Sequence, residues 1–194
     1  SCDDCYPIGA VVTDADGTIL SRGRNRIYEK NARQGRLPGD ELAHAEVEAL
    51  HALDYATLDA HACILYTTTE PCPMCMGTFY MSGLRTLHYA SRDPWAGSTN
   101  LLGTTPYLSR KPIQVHGPPD PRLEMIFVAM FVEQDYGVHD GKLPAGNFYA
   151  CLAEVVGPGI AFGRRLWESG ELRRMRQAGS PAGEVFDRLI FLVQ

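Results

Sequence analysis

Two closely spaced cysteines limit the possible folds of this chain more than any other feature. In the segment TTTEPCPMCMG (residues 67–77), Cys72 and Cys75 stand three positions apart, directly after Pro71. A proline at this point predicts the beginning of a helix, and residues three apart on a helix lie on one face. The pair could be a redox couple, half of a four-cysteine structural zinc site, or two ligands of a catalytic metal.

A third candidate metal ligand lies upstream. The Ala, Leu and Glu content of residues 40–53 predicts a helix that contains His44 and Glu46, with Asp40 as its cap. Residues two apart on a helix point about 200° apart, so these two side chains are not expected to bind the same ion. In the first turn, however, the glutamate can reach past a metal bound by the histidine to a water on that metal.

We therefore predict a zinc ion held by His44, Cys72 and Cys75, with Glu46 as the proton carrier. Two thiolates at a helix N-terminus are stabilised by the free N–H groups and the helix dipole, which lower the thiol pKa. Zinc with three protein ligands keeps its fourth position for a water, whose pKa it lowers from roughly 15.7 to about 7. General acid–base help of this kind typically contributes about 10²–10⁴ in rate.

The other four cysteines leave the alternatives open. Cys2 and Cys5 form a second CxxC, which could complete a four-cysteine structural zinc site, although the His-Ala-Glu segment would then have no role. A redox pair is expected with a thioredoxin-like pattern, which the sequence lacks. We expect Cys2 and Cys5 to be unpaired, and Cys63 and Cys151 to be buried small hydrophobic residues.

Composition and charge narrow the class of protein. The chain has 194 residues, of which 45% are hydrophobic and 21% charged, as in an ordinary globular protein. No stretch approaches the roughly 20 apolar residues that span a bilayer, so we expect no membrane contact and a cytoplasmic location. With 18 Lys and Arg against 23 Asp and Glu, the net charge is −5, and this acidic balance lowers the expectation of a nucleic-acid substrate.

The pattern of predicted elements changes after the segment Gly117-Pro118-Pro119. Residues 1–118 predict the order β-β-α-β-α-β-β, which gives an α/β domain with a mixed sheet. Residues 119–194 predict a helical extension packed on that domain. The predicted elements, in chain order, are strands 8–12 and 18–20, helix 40–53, strand 61–67, helix 72–82, strands 85–90 and 113–116, and helices 121–135, 148–156, 163–178 and 182–193.

Five motifs together resemble the cytidine/deoxycytidylate deaminase superfamily, nearest its guanine deaminase and tRNA adenosine deaminase branch. They lie within residues 7–118 and are PIGAVV, GRN, HAEVEAL, TEPCPMCMG and HYASRDPWAG. The zinc-deaminase signature itself is H-x-E followed by P-C-x-x-C, in which the glutamate is not a ligand. The resemblance implies a three-layer α/β/α cytidine-deaminase-like fold with about five strands, zinc-dependent hydrolytic deamination, and a homodimer.

The resemblance also implies four substrate contacts. Asn25 would hydrogen-bond the substrate base or sugar, and the backbone N–H of Ala45 would position the base. Asp93 would supply a further polar contact, and Trp95 a stacking face. The helical extension is longer than is usual in the family and matches neither branch, so the choice of substrate stays open.

Three functions are compatible with these observations. The first is zinc-dependent deamination of a nucleobase, nucleoside or related amino-heterocycle, with release of ammonia. The second is a deaminase that edits tRNA or single-stranded DNA, in which a basic stripe would contact phosphates; that stripe consists of Arg164, Arg165, Arg173, Arg174 and Arg176. The third is a non-enzymatic module with a structural zinc.

Overall fold

The structure is a computed structural model that describes residues 5–30 and 37–193. It divides into two compact units, Ser1–Pro118 and Pro119–Gln194. That these units are separate domains, with the second packed on the first, stays a prediction. No helix in the described part of the chain is both long and apolar enough to cross a membrane.

The described part of the first unit contains one five-stranded sheet. Its strands are β1 (Gly9–Thr13), β2 (Ile19–Arg24), β3 (Ile64–Thr67), β4 (Thr86–Tyr89) and β5 (Gln114–His116). The spatial order is β2-β1-β3-β4-β5; β1 is antiparallel to β2 and β3, whereas β3, β4 and β5 are parallel. The predicted α/β class with a mixed sheet of about five strands is confirmed.

Two helices of the first unit, α1 (Ala45–His51) and α2 (Pro73–Ser82), cover one face of this sheet. Side chains alternate between the two faces of a strand, so Val12, Leu65 and Leu87, which are neighbours in the strand register, point the same way. They form one buried cluster with apolar residues of both helices, namely Ala45, Ala49, Leu50, Met76 and Phe79. The helices are therefore held by burial of apolar surface against the central strands.

The first helix begins later than predicted. Residues 37–44 form turns, and His44 has extended backbone angles (φ −78°, ψ 151°) directly before α1. The carboxylate of Asp40 accepts a hydrogen bond from the Leu42 N–H, so it stabilises a turn and does not cap the helix. The predicted cap at Asp40 is wrong because this local turn satisfies its side chain first.

The second unit is helical in its described part, with α3 (Pro121–Val138), α4 (Asn147–Ser169), α5 (Glu171–Gln177) and α6 (Ala182–Leu192). The predicted helix end at residue 156 coincides with a non-helical residue, Val156 (φ −138°, ψ 45°), whereas the predicted gap before residue 163 is wrong. Helix α4 continues through Pro158 with a kink at Val156, and it ends only at Gly170, whose φ is 66°. Burial of Val156 and Phe162 in the apolar clusters of this unit keeps the two halves helical on both sides of the kink.

Candidate metal and catalytic centre

The three predicted zinc ligands lie together at the N-termini of α1 and α2. His44 immediately precedes α1, Cys72 immediately precedes α2, and Cys75 lies in the first turn of α2. Nitrogen of the imidazole and both sulfurs lie within 4.8 Å of one another. The loop before α1 and the β3–α2 connection thus converge on one point of the first unit.

The distances between these donor atoms fit a tetrahedral zinc ion. His44 Nδ1 lies 3.7 Å from Cys72 Sγ and 3.4 Å from Cys75 Sγ. Zinc bonds of about 2.3 Å to sulfur and about 2.0–2.1 Å to nitrogen, set at tetrahedral angles, separate the donor atoms by about 3.6 Å. Two thiolates and an imidazole are also a donor set that zinc accepts, so the chemistry and the geometry of the cluster agree.

Two prolines fix the backbone around Cys72. Pro71 precedes it, Pro73 is the first helical residue after it, and its own angles are extended (φ −68°, ψ 173°). A residue before proline is confined to extended conformations, and a proline at the first helical position loses no hydrogen bond. The sequence PCP therefore determines both where α2 begins and the backbone conformation from which the Cys72 side chain projects.

The two thiols are strongly coupled. The pKa of Cys72 is lowered to about 4, chiefly by the hydrogen bond from the Cys75 thiol and further by its interactions with His44. The pKa of Cys75 is raised, because it holds the proton that it shares with Cys72 and because it is buried. The pKa of His44 is raised, first by its hydrogen bond with Cys72. The cluster thus carries a thiolate next to an imidazole, the arrangement that a soft cation requires.

Glu46 is a buried carboxyl group beside this cluster. Its side chain belongs to a residue that is only 3% exposed, and burial raises its pKa. Its Oε1 accepts a hydrogen bond from Thr67 Oγ1 at 3.1 Å, and its Oε2 accepts one from Cys75 Sγ at 3.3 Å. A carboxyl whose charged form is disfavoured accepts a proton more readily than an exposed one, which suits a general acid and base.

Asn25 and Ala45 lie on segments that the structure joins. Asn25 is buried just after β2, and its side-chain oxygen accepts a hydrogen bond from the Ile27 N–H. The next residue, Arg26, donates its N–H to the carbonyl of Ala43, which is two residues before α1. Asn25 is thereby held beside the approach to Ala45, the first residue of α1. Their contacts to a substrate stay predictions.

Asp93 and Trp95 lie on the loop after β4. Asp93 Oδ1 accepts hydrogen bonds from the backbone N–H groups of Trp95 and Ala96 at 3.0 and 2.9 Å. This carboxylate therefore shapes its own loop, a role that the sequence prediction of a substrate contact did not include. The Trp95 residue is 57% exposed, which leaves it available for stacking. That both residues touch a substrate stays a prediction.

Sequence reasoning missed Glu70, which fastens this loop to the cysteine motif. Glu70 Oε1 accepts a hydrogen bond from Thr99 Oγ1 at 2.5 Å, and Oε2 lies 3.4 Å from the Asp93 nitrogen. The backbone adds hydrogen bonds from the Glu70 N–H to the Ser91 carbonyl and from the Ser98 N–H to the Pro71 carbonyl. Its place in the sequence TEPC, one residue before Pro71, was the available signal.

The state of Cys5 argues against the four-cysteine structural zinc site, one of the alternatives that the sequence left open. It is buried and disulfide-bonded, so the expectation that it is unpaired is wrong. A cysteine in a disulfide is not a thiolate ligand, and the four-cysteine zinc site loses one of its members. Cys2 lies outside the described residues. Cys63 is buried as expected, whereas Cys151 is only partly buried.

The sequence of the first unit matches a known family. The family model of the cytidine and deoxycytidylate deaminase zinc-binding region matches residues 2–91, a range that includes all four residues of the predicted centre. Over residues 2–91 the chain is therefore similar to this deaminase family. The resemblance inferred from the motifs is therefore confirmed.

The relatives of this deaminase region act on different substrates according to their names. Guanine deaminase from Bacillus subtilis (strain 168) is 39% identical over 89 residues, 44% of this chain and 50% of that protein. The tRNA-specific adenosine deaminase of Agrobacterium fabrum (strain C58) is 36% identical over 99 residues, 49% of this chain and 58% of that protein. The chain thus spans between half and three-fifths of the length of these two curated relatives.

A solved structure supports the fold of the deaminase region. The guanine deaminase from Nitrosomonas europaea shares 28% sequence identity with this chain, with a TM-score of 0.50. The likeness covers 68% of this chain and 74% of that protein. The mixed sheet and the helices that carry the His-x-Glu and Cys-x-x-Cys segments are therefore those of a deaminase fold.

Proposed function

We propose that this protein is a zinc-dependent hydrolase that deaminates a free nucleobase, nucleoside or related amino-heterocycle and releases ammonia. The observation that carries the proposal is the buried Glu46 carboxyl beside the cluster of His44, Cys72 and Cys75. A purely structural zinc site has no use for a protonatable group at this point. A hydrolytic centre needs one, because a proton must leave the attacking water and reach the departing amine.

The residues of the chain divide the work in this proposal. His44, Cys72 and Cys75 would hold the zinc, which, when bound, supplies Lewis-acid activation of a water. Glu46 would move two protons in turn at Oε2, the first from the attacking water to a ring nitrogen of the substrate and the second from the new hydroxyl to the leaving amino group, while Oε1 stays hydrogen-bonded to the protein. Asn25 binds the substrate through its amide and so orients the carbon that loses the amino group.

Charge favours a small substrate over a nucleic acid. The net charge is −5, and three of the five arginines of the predicted basic stripe are ion-paired: Arg164 with Glu168, Arg174 with Glu171, and Arg176 with Glu133. Arginines already paired with carboxylates have less charge to offer to phosphates. The guanine deaminases among the relatives agree with a free base. A homodimer is part of the proposal on the family resemblance alone, and so is the cytoplasmic location expected from the sequence.

An ammonia-release screen tests the substrate class. The panel consists of cytosine, adenine, guanine, their nucleosides and nucleotides, triazine analogues, and, as separate arms, tRNA and single-stranded DNA. Turnover of a free base or nucleoside supports the proposal. Turnover of the nucleic acids alone, with binding that weakens steeply as salt increases, would replace it with the editing function.

A pair of variants on α1 tests the role of Glu46. Glu46→Gln should keep zinc, measured by elemental analysis, and lose at least about 10²-fold in kcat. Glu48→Gln, two residues further along the same helix, is the matched control and should keep both. An active Glu46→Gln protein, or wild-type zinc with four protein ligands, contradicts the mechanism.

A further inference from the structure

We propose that Thr67 is a positioning residue that holds the Glu46 carboxylate in its working orientation. The inference rests on the proposed function, and it concerns a residue to which neither the motifs nor the family match gives a role. Thr67 is the last residue of β3, five positions before Cys72. It therefore belongs to the same connection that delivers the cysteines.

The sheet aims the Thr67 side chain at α1. Alternation along β3 places Leu65 and Thr67 on the face that both helices cover, whereas Tyr66 points to the other face and is exposed. Thr67 is 5% exposed, and its hydroxyl donates a hydrogen bond of 3.1 Å to Glu46 Oε1. A hydroxyl in the middle of an apolar cluster costs free energy unless it is hydrogen-bonded, and here its partner is the proton carrier itself.

The two oxygens of Glu46 differ in what holds them. Oε1 is held by the Thr67 hydroxyl and Oε2 by the Cys75 thiol. A cysteine that ligates a metal does so as a thiolate and has no proton to donate. When Cys75 serves as a ligand, its hydrogen bond to Glu46 is lost and Oε2 is free for proton transfer. Among the described residues, the Thr67 hydroxyl is then the side-chain donor that still holds the Glu46 carboxylate. Thr67 thus determines which carboxylate oxygen of Glu46 transfers the proton.

The chain also supplies an internal comparison. Thr13, at the end of β1, is as buried as Thr67, but its Oγ1 has no hydrogen-bond partner among the described residues. Replacement of either threonine by valine removes one hydroxyl and keeps the β-branched shape that suits a strand. A loss of function that follows Thr67→Val but not Thr13→Val therefore reports the contact to Glu46 and not the loss of a buried hydroxyl as such.

The kinetic experiment compares wild type, Thr67→Val, Thr67→Ser and Thr13→Val on the best substrate of the screen. Thr67→Val should lower kcat about tenfold or more, the effect of a lost hydrogen bond to a charged group, with KM and zinc content unchanged. Thr67→Ser should restore most of kcat because it returns the hydroxyl. Thr13→Val should match wild type. Equal kcat for wild type and Thr67→Val overturns the proposal.

A thermal double-mutant cycle tests the contact without any substrate. Thr67→Val should lower the Tm of the zinc-loaded protein, but it should leave the Tm unchanged or raise it in a Glu46→Met background, where the hydroxyl has lost its acceptor. Equal Tm changes in both backgrounds overturn the proposal even if no substrate is found. Failure of the proposed function has a different signature, since wild type then releases no ammonia while the coupling between Thr67 and Glu46 persists.

Discussion

Gly23 is the point at which strand β2 touches helix α1 backbone to backbone, and Gly23→Ala should damage the catalytic centre from outside it. A Cβ at this position would lie 2.0 Å from the Ala45 carbonyl oxygen and 2.5 Å from the Ala49 nitrogen. Contacts of a Cβ below 3.0 Å are essentially never seen. Both neighbours are backbone atoms of α1, so no side-chain rotation can relieve the overlap.

The displacement that follows can be read from these distances. The strand and the helix must separate by about 1 Å, the difference between 2.0 Å and the 3.0 Å limit. Helix α1 carries Glu46 in its first turn and begins directly after His44. A misplacement of about 1 Å costs up to about 10²-fold in rate, and such overpacking typically costs about 1–3 kcal/mol of stability.

Urea denaturation and steady-state kinetics of the Gly23→Ala protein check both numbers. The unfolding midpoint should decrease, and kcat should fall about 10²-fold while the protein stays folded. The control is Gly9→Ala on the adjacent strand, where the nearest atom to the new Cβ is the Gly23 carbonyl oxygen at an ordinary 3.9 Å. Wild-type stability and kcat in the Gly23→Ala protein would refute the claim that this contact sets the position of α1.

Three further substitutions test other contacts. Glu70→Gln places an amide donor against N–H groups, so hydrogen exchange in the loop 93–99 should become faster, as mass spectrometry would show. Gly163→Ala puts a Cβ 2.6 Å from a side chain of α3 and should lower the free energy of unfolding by about 1–3 kcal/mol in urea. Arg176→Met leaves Glu133, which is 1% exposed, without its ion-pair partner. The free energy of unfolding, measured by urea denaturation, should decrease by about 3 kcal/mol. This is the lower end of the range for a broken buried ion pair, because the arginine is half exposed.

The sequence was most informative where local spacing determines geometry. His44, Cys72 and Cys75 are brought together as predicted, because a histidine before one helix and cysteines at the start of the next are joined by a single strand. The α/β class followed from the same alternation of elements. The kink of α4 lies where Gly and Pro favour a break, as the sequence predicted, but the immediate continuation of the helix to Ser169 was not predictable from local signals and is supported by burial of residues such as Phe162.

The contacts that refine the centre were not accessible to motif reasoning. Thr67 has a role only because β3 lies across from α1, and Glu70 only because the loop after β4 returns to the cysteine motif. Both depend on pairings between segments distant in sequence, which periodicity cannot specify. The disulfide of Cys5 was missed for a related reason, since CxxC spacing is compatible with free thiols, metal ligation and oxidation alike.

The prolines on both sides of Cys72 have a thermodynamic consequence for metal uptake. A flexible ligand loses backbone freedom when it coordinates an ion, at a cost of roughly 1–2 kcal/mol for each residue that becomes fixed. In the sequence PCP much of that freedom is already absent from the unliganded chain, since the rings of Pro71 and Pro73 fix φ and the proline after Cys72 restricts Cys72 to extended conformations. The entropy cost of ordering this ligand is therefore met when the protein folds. It does not weaken the later binding of the ion.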